Sequence, residues 1–528
     1  MNLSPNKRIA LNIIVTYGRS LFALVCGLLV GRWSLLALGE TDYGLSAVVG
    51  GLAVFISFIN SLMAGAVGRF YAYTIGIGQK DRETALQDGR KWFNSALLIH
   101  TAGPALLLLI GYPVGLYAVQ HWIGVPLERM DACIWVWRFV CINCFIGMVT
   151  VPFGSFFYAK QLLVEPTIYS MITVLLNAGM LYYMVTHPGD WLIFSAFWTC
   201  LLGVSPEIVK MIRAFYLFPE CRFYAKYLWS WTRTKALLNY AGWMMFGALG
   251  AISKNQLLAI LVNKQYGPNV TAAVSVANHV SGNLTIFSGG MINAFQPAIV
   301  NACGAKDFTR MRKLAFMTCK FGTMLIVFFA LPVALELPKI MQVWLKTPPK
   351  YTVELCWFIL AMVVIDKTTV GHQLAINANG KIALYQAVLG SILVLTCPLA
   401  WWLIVCGTGV YSVGISLVTT MAFCAWGRVF FARCLVDMSI GYWLRKIMLP
   451  LFLTITVSGG VGFLPQLVMP ASLLRIFVTG VCTEIVLITL TWLFLFDRKE
   501  RDVIMMKLKI YMNKAVSYTH LRAHETGR

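Results

Sequence analysis

Long apolar stretches separated by short polar connections run through almost the whole chain. A helix crosses the hydrocarbon core of a bilayer with about 20 apolar residues, and fourteen stretches reach that length. The first seven are Ile9 to Leu38, Tyr43 to Gly76, Trp92 to Gln120, Ala132 to Tyr158, Pro166 to Val185, Trp191 to Ala214 and Ala236 to Val262. The others are Val270 to Asn301, Leu314 to Leu335, Val353 to Ile376, Ala383 to Val405, Val410 to Leu435, Ile447 to Leu467 and Ala471 to Phe496. They predict an all-α membrane protein of about fourteen transmembrane helices, numbered here as spans one to fourteen. The first stretch is too long for the apolar core of a cleaved leader and lacks a small-residue cleavage site, so it is expected to stay as the first helix.

Short motifs recur at matching places. Gly39 closes span one and Gly78-Gln-Lys-Asp81 follows span two; Gly267 closes span seven and Gly304-Ala-Lys-Asp307 follows span eight. Lys160, after span four, and Lys381, after span ten, fall at nearly the same offset. Six spans is an even number, so the two copies run through the membrane in the same sense and can be related by a pseudo-two-fold axis along its normal. The expected organisation is an N-terminal six-helix lobe (1–217), a C-terminal six-helix lobe (218–440), two accessory helices (441–497), a basic tail (498–515) and an unrelated ending (516–528). Asp81 and Asp307 stand where N-caps would begin the segments leading into spans three and nine.

Composition agrees with the pattern. With 59% hydrophobic and 12% charged residues, a soluble domain of this length could not hide its apolar surface. The fourteen cysteines lie mostly inside apolar runs, where cysteine packs as a small hydrophobe, and Cys141-Ile-Asn-Cys144 reads as helix packing rather than redox chemistry. A net charge of +22 would fit a nucleic-acid partner, but its distribution speaks for topology. Cations crowd every second connection, as with Lys80, Arg82, Arg90 and Lys91 after span two and Lys306, Arg310, Arg312 and Lys313 after span eight. The positive-inside rule then places both termini in the cytoplasm. Only the connection from nine to ten breaks the alternation, with Lys339, Lys346 and Lys350, which could meet an anionic substrate but read more simply as a solvated loop.

A few charges lie inside the apolar stretches. A cation near the bilayer centre persists where it faces a cavity or a partner that uses it. Arg19, midway in span one, and Lys254, midway in span seven, are therefore candidates for holding an anion. Arginine offers paired planar donors and lysine a compact point charge, both suited to phosphate. Arg32 and Arg138 lie nearer one face and Arg69 nearer the other, as stations along a path or as side chains snorkelling to headgroups. Asp366 and Lys367 lie near the centre of span ten, with His372 beyond them. Asp366 could bind a coupling Na⁺ or proton, or neutralise Lys254. His279, beside Asn278 and Asn283, reads as a hydrogen-bonded packing residue. Glu484 could pair with Arg475 or cap a groove.

Leu38-Gly-Glu-Thr-Asp42-Tyr-Gly44 after a first helix with Arg19 and Arg32, followed by Gly76-Ile-Gly-Gln-Lys-Asp81, resembles the start of bacterial polysaccharide repeat-unit (O-antigen and capsule) flippases. Asn293-Ala-Phe-Gln-Pro297 before Gly304-Ala-Lys-Asp307 resembles the matching part of their second lobe. These belong to the multidrug/oligosaccharidyl-lipid/polysaccharide exporter (MOP) superfamily, with drug antiporters and the peptidoglycan lipid II flippase. The resemblance runs from about Arg8 to Arg498. It implies two six-helix lobes in a bacterial cytoplasmic (inner) membrane that flip undecaprenyl-diphosphate-linked oligosaccharide between leaflets by alternating access, for surface polysaccharide biosynthesis. It implies no cofactor beyond a coupling Na⁺ or H⁺. The partners implied are the lipid-linked oligosaccharide, anionic membrane lipids, a polysaccharide polymerase and glycosyltransferases. Arg19 and Arg32 resemble first-helix arginines that line the cavity of the lipid II branch, and Asp42 its gate-side aspartate. The other cavity arginines of that branch have no match.

The alternative on the same fold is a multidrug antiporter exporting organic cations. It calls for an acidic or aromatic cavity, whereas the deep residues are mainly basic and span one holds no acid. An enzyme of polysaccharide assembly would need a large outer loop with Arg and His, or an acidic cluster for Mg²⁺ and diphosphate. The connections are short and no Asp-Asp pair occurs. The ending from Ala515 to Arg528 lacks apolar periodicity and reads as a non-native, adapter-like tail, so His520 and His524 carry no metal argument.

Overall fold

The computed structural model describes residues 41–46, 48–78, 81–122, 125–345, 347–497 and 501–502, with scattered positions between 12 and 39. Arg32, Lys80, Lys346 and the tail lie outside the described residues. Among the described residues ten helices are long and apolar enough to cross a membrane, and a pair, Thr41–Gly51 and Ile56–Ile77, bent by 47°, passes the same test together. The places of spans eight and ten are taken by Pro268–Gly304 and by Thr352–Thr368 continued in Val370–Asn379. These two carry Asn278, His279, Asn283 and Asn293, and Asp366, Lys367 and His372, the polar residues that dilute their hydropathy. These bring to thirteen the expected spans that the described residues place on helices, and span one is described only at scattered positions. The protein is an all-helical, multi-pass membrane protein.

The helix ends follow local chemistry. Span three starts ten residues before its apolar stretch, at Arg82, because Asp81 caps it by accepting from the Thr84 backbone N–H at 3.1 Å. Hydrogen bonding from the Thr84 side chain, and then from its backbone N–H, favours the charged form, so the Asp81 carboxyl is held below its ordinary range. Asp307 caps span nine in the same way, accepting from the Arg310 N–H at 2.9 Å. Span four breaks at Thr150, where Pro152 follows without a backbone N–H to give.

The two halves meet at the end that carries the basic connections. Spans two and eight cross there backbone to backbone. A Cβ at Gly76 would stand 2.1 Å from the Asn301 carbonyl oxygen, and one at Gly304 2.1 Å from that of Tyr73. Small residues permit this approach, as membrane helix crossings generally require. One buried core spans the crossing, joining Tyr71, Phe93 and Phe156 of the first half to Phe295, Ile299 and Met311 of the second. Asn301 also donates to the Ala159 carbonyl (3.3 Å), and Arg233 pairs with Asp88 (3.1 Å). At the far end each half keeps its own core. The first packs Val119, Cys133, Trp137 and Leu192 together, the second Val262, Ala273, Leu337 and Cys356.

Spans thirteen and fourteen, Ile440–Val468 and Leu473–Leu495, pack on span nine. Their tie is Glu336, fully buried at the end of span nine, which accepts from Arg475 at 2.9 to 3.2 Å and from the Thr479 hydroxyl at 2.8 Å. The sequence pattern allowed Arg475 to pair with Glu484 on its own helix. Arg475 lies in the first turn of that helix, facing Glu336, while Glu484 lies more than two turns away.

Candidate functional site

Spans two and eight each carry a polar stripe at helical spacing toward the far end. On span two it is Ser57 and Ser61, with the small Gly65 one turn further on; on span eight, Ser275, His279 and Asn283, all exposed. Polar faces of this kind are costly against lipid, which assigns both to the cleft between the halves. His279 thus belongs to a cleft wall rather than to a packed core. At the base of the cleft lies a cavity of about 680 Å³. Span two contributes Asn60, span four Asn143, span six Glu207 and Lys210, and span eight Asn293 and Gln296. Its two charges neutralise each other, Lys210 Nζ lying 2.5 Å from Glu207, and the Thr150 hydroxyl donates to the same carboxylate at 3.3 Å.

The floor beneath is closed by Arg69. From span two it donates to the Asn377 carbonyl (2.8 Å) and the Ala378 carbonyl (3.0 Å), the last turn of span ten. Phe70 and Tyr240 stack on its guanidinium at 4.9 and 4.8 Å. Helix C-termini carry orphan carbonyls and a partial negative charge, which a cation satisfies. Gly380, at φ +85°, ends the helix there.

A second charged site lies inside the second half. Arg428 of span twelve donates to the Asp366 carboxylate at 2.7 Å and to its backbone carbonyl at 3.2 Å. Lys367 holds the other carboxylate oxygen at 2.7 Å. Span ten breaks next to Asp366, at Thr369, and Arg428 also donates to the Thr369 hydroxyl at 3.4 Å. Intramembrane backbone freed by such a break needs a new partner. Lys254 is buried, 7% exposed, and its hydrogen bond goes to the Met362 sulfur at 3.7 Å.

Of the two roles the sequence left open to Asp366, a direct pair with Lys254 is not formed, and Arg428 and Lys367 hold the carboxylate instead. Span ten packs along span twelve, which brings Arg428 to the carboxylate, whereas span seven packs along span eleven, with Gly250 against the Gly390 backbone. His372 is a packing residue, its Nδ1 3.4 Å from the Cys319 sulfur and its ring edge-on to Phe316 and Trp443.

The remaining candidates fall elsewhere. Arg19 is exposed and donates to Ser170 of span five at 3.1 Å. Arg138 stacks on Trp135 at 4.7 Å and reaches the Tyr112 hydroxyl at 3.4 Å. Asp42 is buried against Arg129 (3.1 Å), which also binds Asp190 (2.5 Å), joining far-end connections of the first half. Arg32 lies outside the described residues. Among the described residues, Arg19, Arg69, Arg138 and Lys254 do not share one cavity. Sequence reasoning passed over Arg428, although a cation inside an apolar stretch is the signal that picked out Arg19. It also passed over the Glu207–Lys210 pair, an acid and a base three residues apart inside span six.

Residues 245–402 match the MatE family model. Among solved structures, the chain is similar to a multidrug resistance MATE family transporter of the MOP superfamily in an outward-facing conformation. The two share 14% identity over 82% of this chain and 96% of the other, with a TM-score of 0.65. A MOP superfamily transporter from Pyrococcus furiosus gives 14% identity, the same coverages and a TM-score of 0.64. A MATE transporter from Vibrio cholerae gives 17%, 83% and 98%, and 0.59. The chain has the MATE transporter fold. No curated protein matches the sequence. The similar structures are those of transporters. At this identity the likeness is one of architecture.

Proposed function

We propose that this protein is an alternating-access exporter on the MATE fold and that its substrate is anionic. The access reading rests on the two ends of the interface, one sealed by the crossing of spans two and eight, the other opening on polar stripes. If the basic end is cytoplasmic, as the positive-inside rule requires, the described state faces outward. The substrate reading rests on one observation: inside the second half Lys254, Lys367 and Arg428 stand against the single carboxylate of Asp366. A cationic excess at membrane depth attracts a phosphate and repels an organic cation. The substrate that fits both this charge and the resemblance in the first-helix motif is a lipid-linked oligosaccharide diphosphate, flipped for surface polysaccharide assembly.

The second reading is a multidrug antiporter, and the comparisons back it more strongly than the flippase. One similar structure is a multidrug resistance MATE family transporter, and others are MATE proteins. The one from Pyrococcus furiosus is described as having a binding pocket of reversed polarity that suggests a different function, so polarity is a fair discriminator on this fold.

Reconstituted vesicles given a lipid-linked oligosaccharide diphosphate in one arm and ethidium in another separate the two. The anionic substrate should move, Lys254→Ala should slow it roughly tenfold or more, as the loss of a charged contact does, and Lys254→Arg should be milder. Ethidium export that Lys254→Ala leaves unchanged would return the multidrug reading.

A further inference from the structure

One face of span nine changes character with depth. Near the basic end it presents Lys313 and, seven residues on, Lys320; deeper, Phe321, Met324 and Phe328 continue the stripe. Two cavities follow that change. The first, about 530 Å³, lies between spans nine, twelve and thirteen and is lined by five cations, Arg312, Lys313, Lys320, Arg433 and Lys446, against Asp437 and Asp497. Arg312 and Arg433 both engage Asp437, at 3.4 and 2.5 Å. Lys320, 6% exposed, marks the inner end, donating to the Leu495 carbonyl at 3.1 Å with its ammonium 5.7 Å from the Phe496 ring.

The second cavity, about 500 Å³, begins at the next residue of each helix, Phe321 after Lys320 and Phe496 after Leu495. Met324, Phe328, Ile488 and Trp492 continue it, with Thr491 as its polar side chain. From Lys313 to Phe328 the path is about 22 Å along the helix axis, the depth of one leaflet with its headgroup. We infer that this is a binding site for an anionic phospholipid of the leaflet on the basic side, its phosphate among Lys313, Lys320 and Lys446 and a chain in the apolar groove. A neutral lipid has no use for the cations, and a free anion has none for the groove. Met291 and Phe295 of span eight line the groove and also belong to the core that seals the two halves. A bound chain thus supports, from the membrane side, the helix that closes the basic end, and joins the accessory helices to it.

The test uses the full-length protein in detergent, with thermal unfolding followed by tryptophan fluorescence. Saturating dioctanoyl phosphatidylglycerol should raise the midpoint by roughly 2 °C or more, and dioctanoyl phosphatidylcholine and inorganic phosphate should not. Lys313 and Lys446 are exposed, so Lys313→Gln with Lys446→Gln should leave the lipid-free midpoint in place and abolish the rise, while Lys446→Arg keeps it. An equal rise with phosphatidylcholine or phosphate overturns the proposal, as does an undiminished rise in the double glutamine variant. A stronger response to undecaprenyl diphosphate than to phosphatidylglycerol overturns the phospholipid assignment.

Discussion

The two ends of the interface between the halves are built from opposite materials. At the basic end two glycines bring backbones into contact, one arginine clasps helix-terminal carbonyls, and a shared aromatic core surrounds them. At the far end the cores are separate, the ion pairs of Asp42, Arg129 and Asp190 stay within the first half, and the facing helix surfaces are small and polar. The lesson is that closure depends on shape and backbone contact, whereas the open end depends on surfaces that tolerate water. A seam of this kind closes in one register only, and its individual contacts are weak enough to part when the halves rock.

The largest effect should come from Gly304→Val. A side chain there meets the Tyr73 carbonyl, so the crossing cannot close and transport should fall to background while the protein still accumulates in the membrane. Cys303, buried in the seam, reports the state directly. In a background lacking the exposed Cys406 and Cys434, a membrane-impermeant maleimide should label it in the variant and not in the parent. Labelling that stays at the parent level would show that the glycine contact is dispensable.

A smaller effect is expected from Arg69→Ala. It removes two charge-assisted hydrogen bonds, a loss of about 2 kcal/mol or roughly a 30-fold shift toward the open basic end. Cys303 labelling should rise accordingly, with Arg69→Lys between the two, since one ammonium cannot reproduce the fork to both carbonyls.

The smallest should be Asp190→Asn at the far end. Its side chain is 62% exposed, and solvated pairs contribute about 0 to 1 kcal/mol. Both transport and the labelling of Cys303 should stay within a factor of two of the parent, an effect of about 0.4 kcal/mol. A shift as large as that of Arg69→Ala would mean that the two ends are not independent.

Much of this architecture can be read from the residues alone. Span length, the alternation of basic connections and the caps at Asp81 and Asp307 are local properties, and each is what composition and spacing predict. The glycine motifs are visible as a repeat, but that Gly76 meets Asn301 while Gly304 meets Tyr73 is a fact of three dimensions. The same limit explains the charges. Asp366 and Lys254 belong to the same lobe at similar depth, and only the packing of span ten on span twelve, and of span seven on span eleven, decides that Arg428 takes the carboxylate. Glu336 and Arg475 lie 139 residues apart, and no periodicity connects them.

The cluster around Asp366 also bears on how the chain enters the membrane. Arg428 follows Asp366 by 62 residues, and a ribosome adding about 5 to 20 residues per second needs roughly 3 to 12 s to supply it. For that interval the acid would sit in span ten without its arginine. Lys367 is synthesised immediately after it and reaches the carboxylate at 2.7 Å, so the nascent helix can pass from the translocon to the bilayer as a neutral pair. Arg428 then arrives last and trades hydration for a partner that is already in place. On this view Lys367 acts as a chaperone within the chain, and its substitution should reduce the yield of inserted protein more than the stability of what has been inserted.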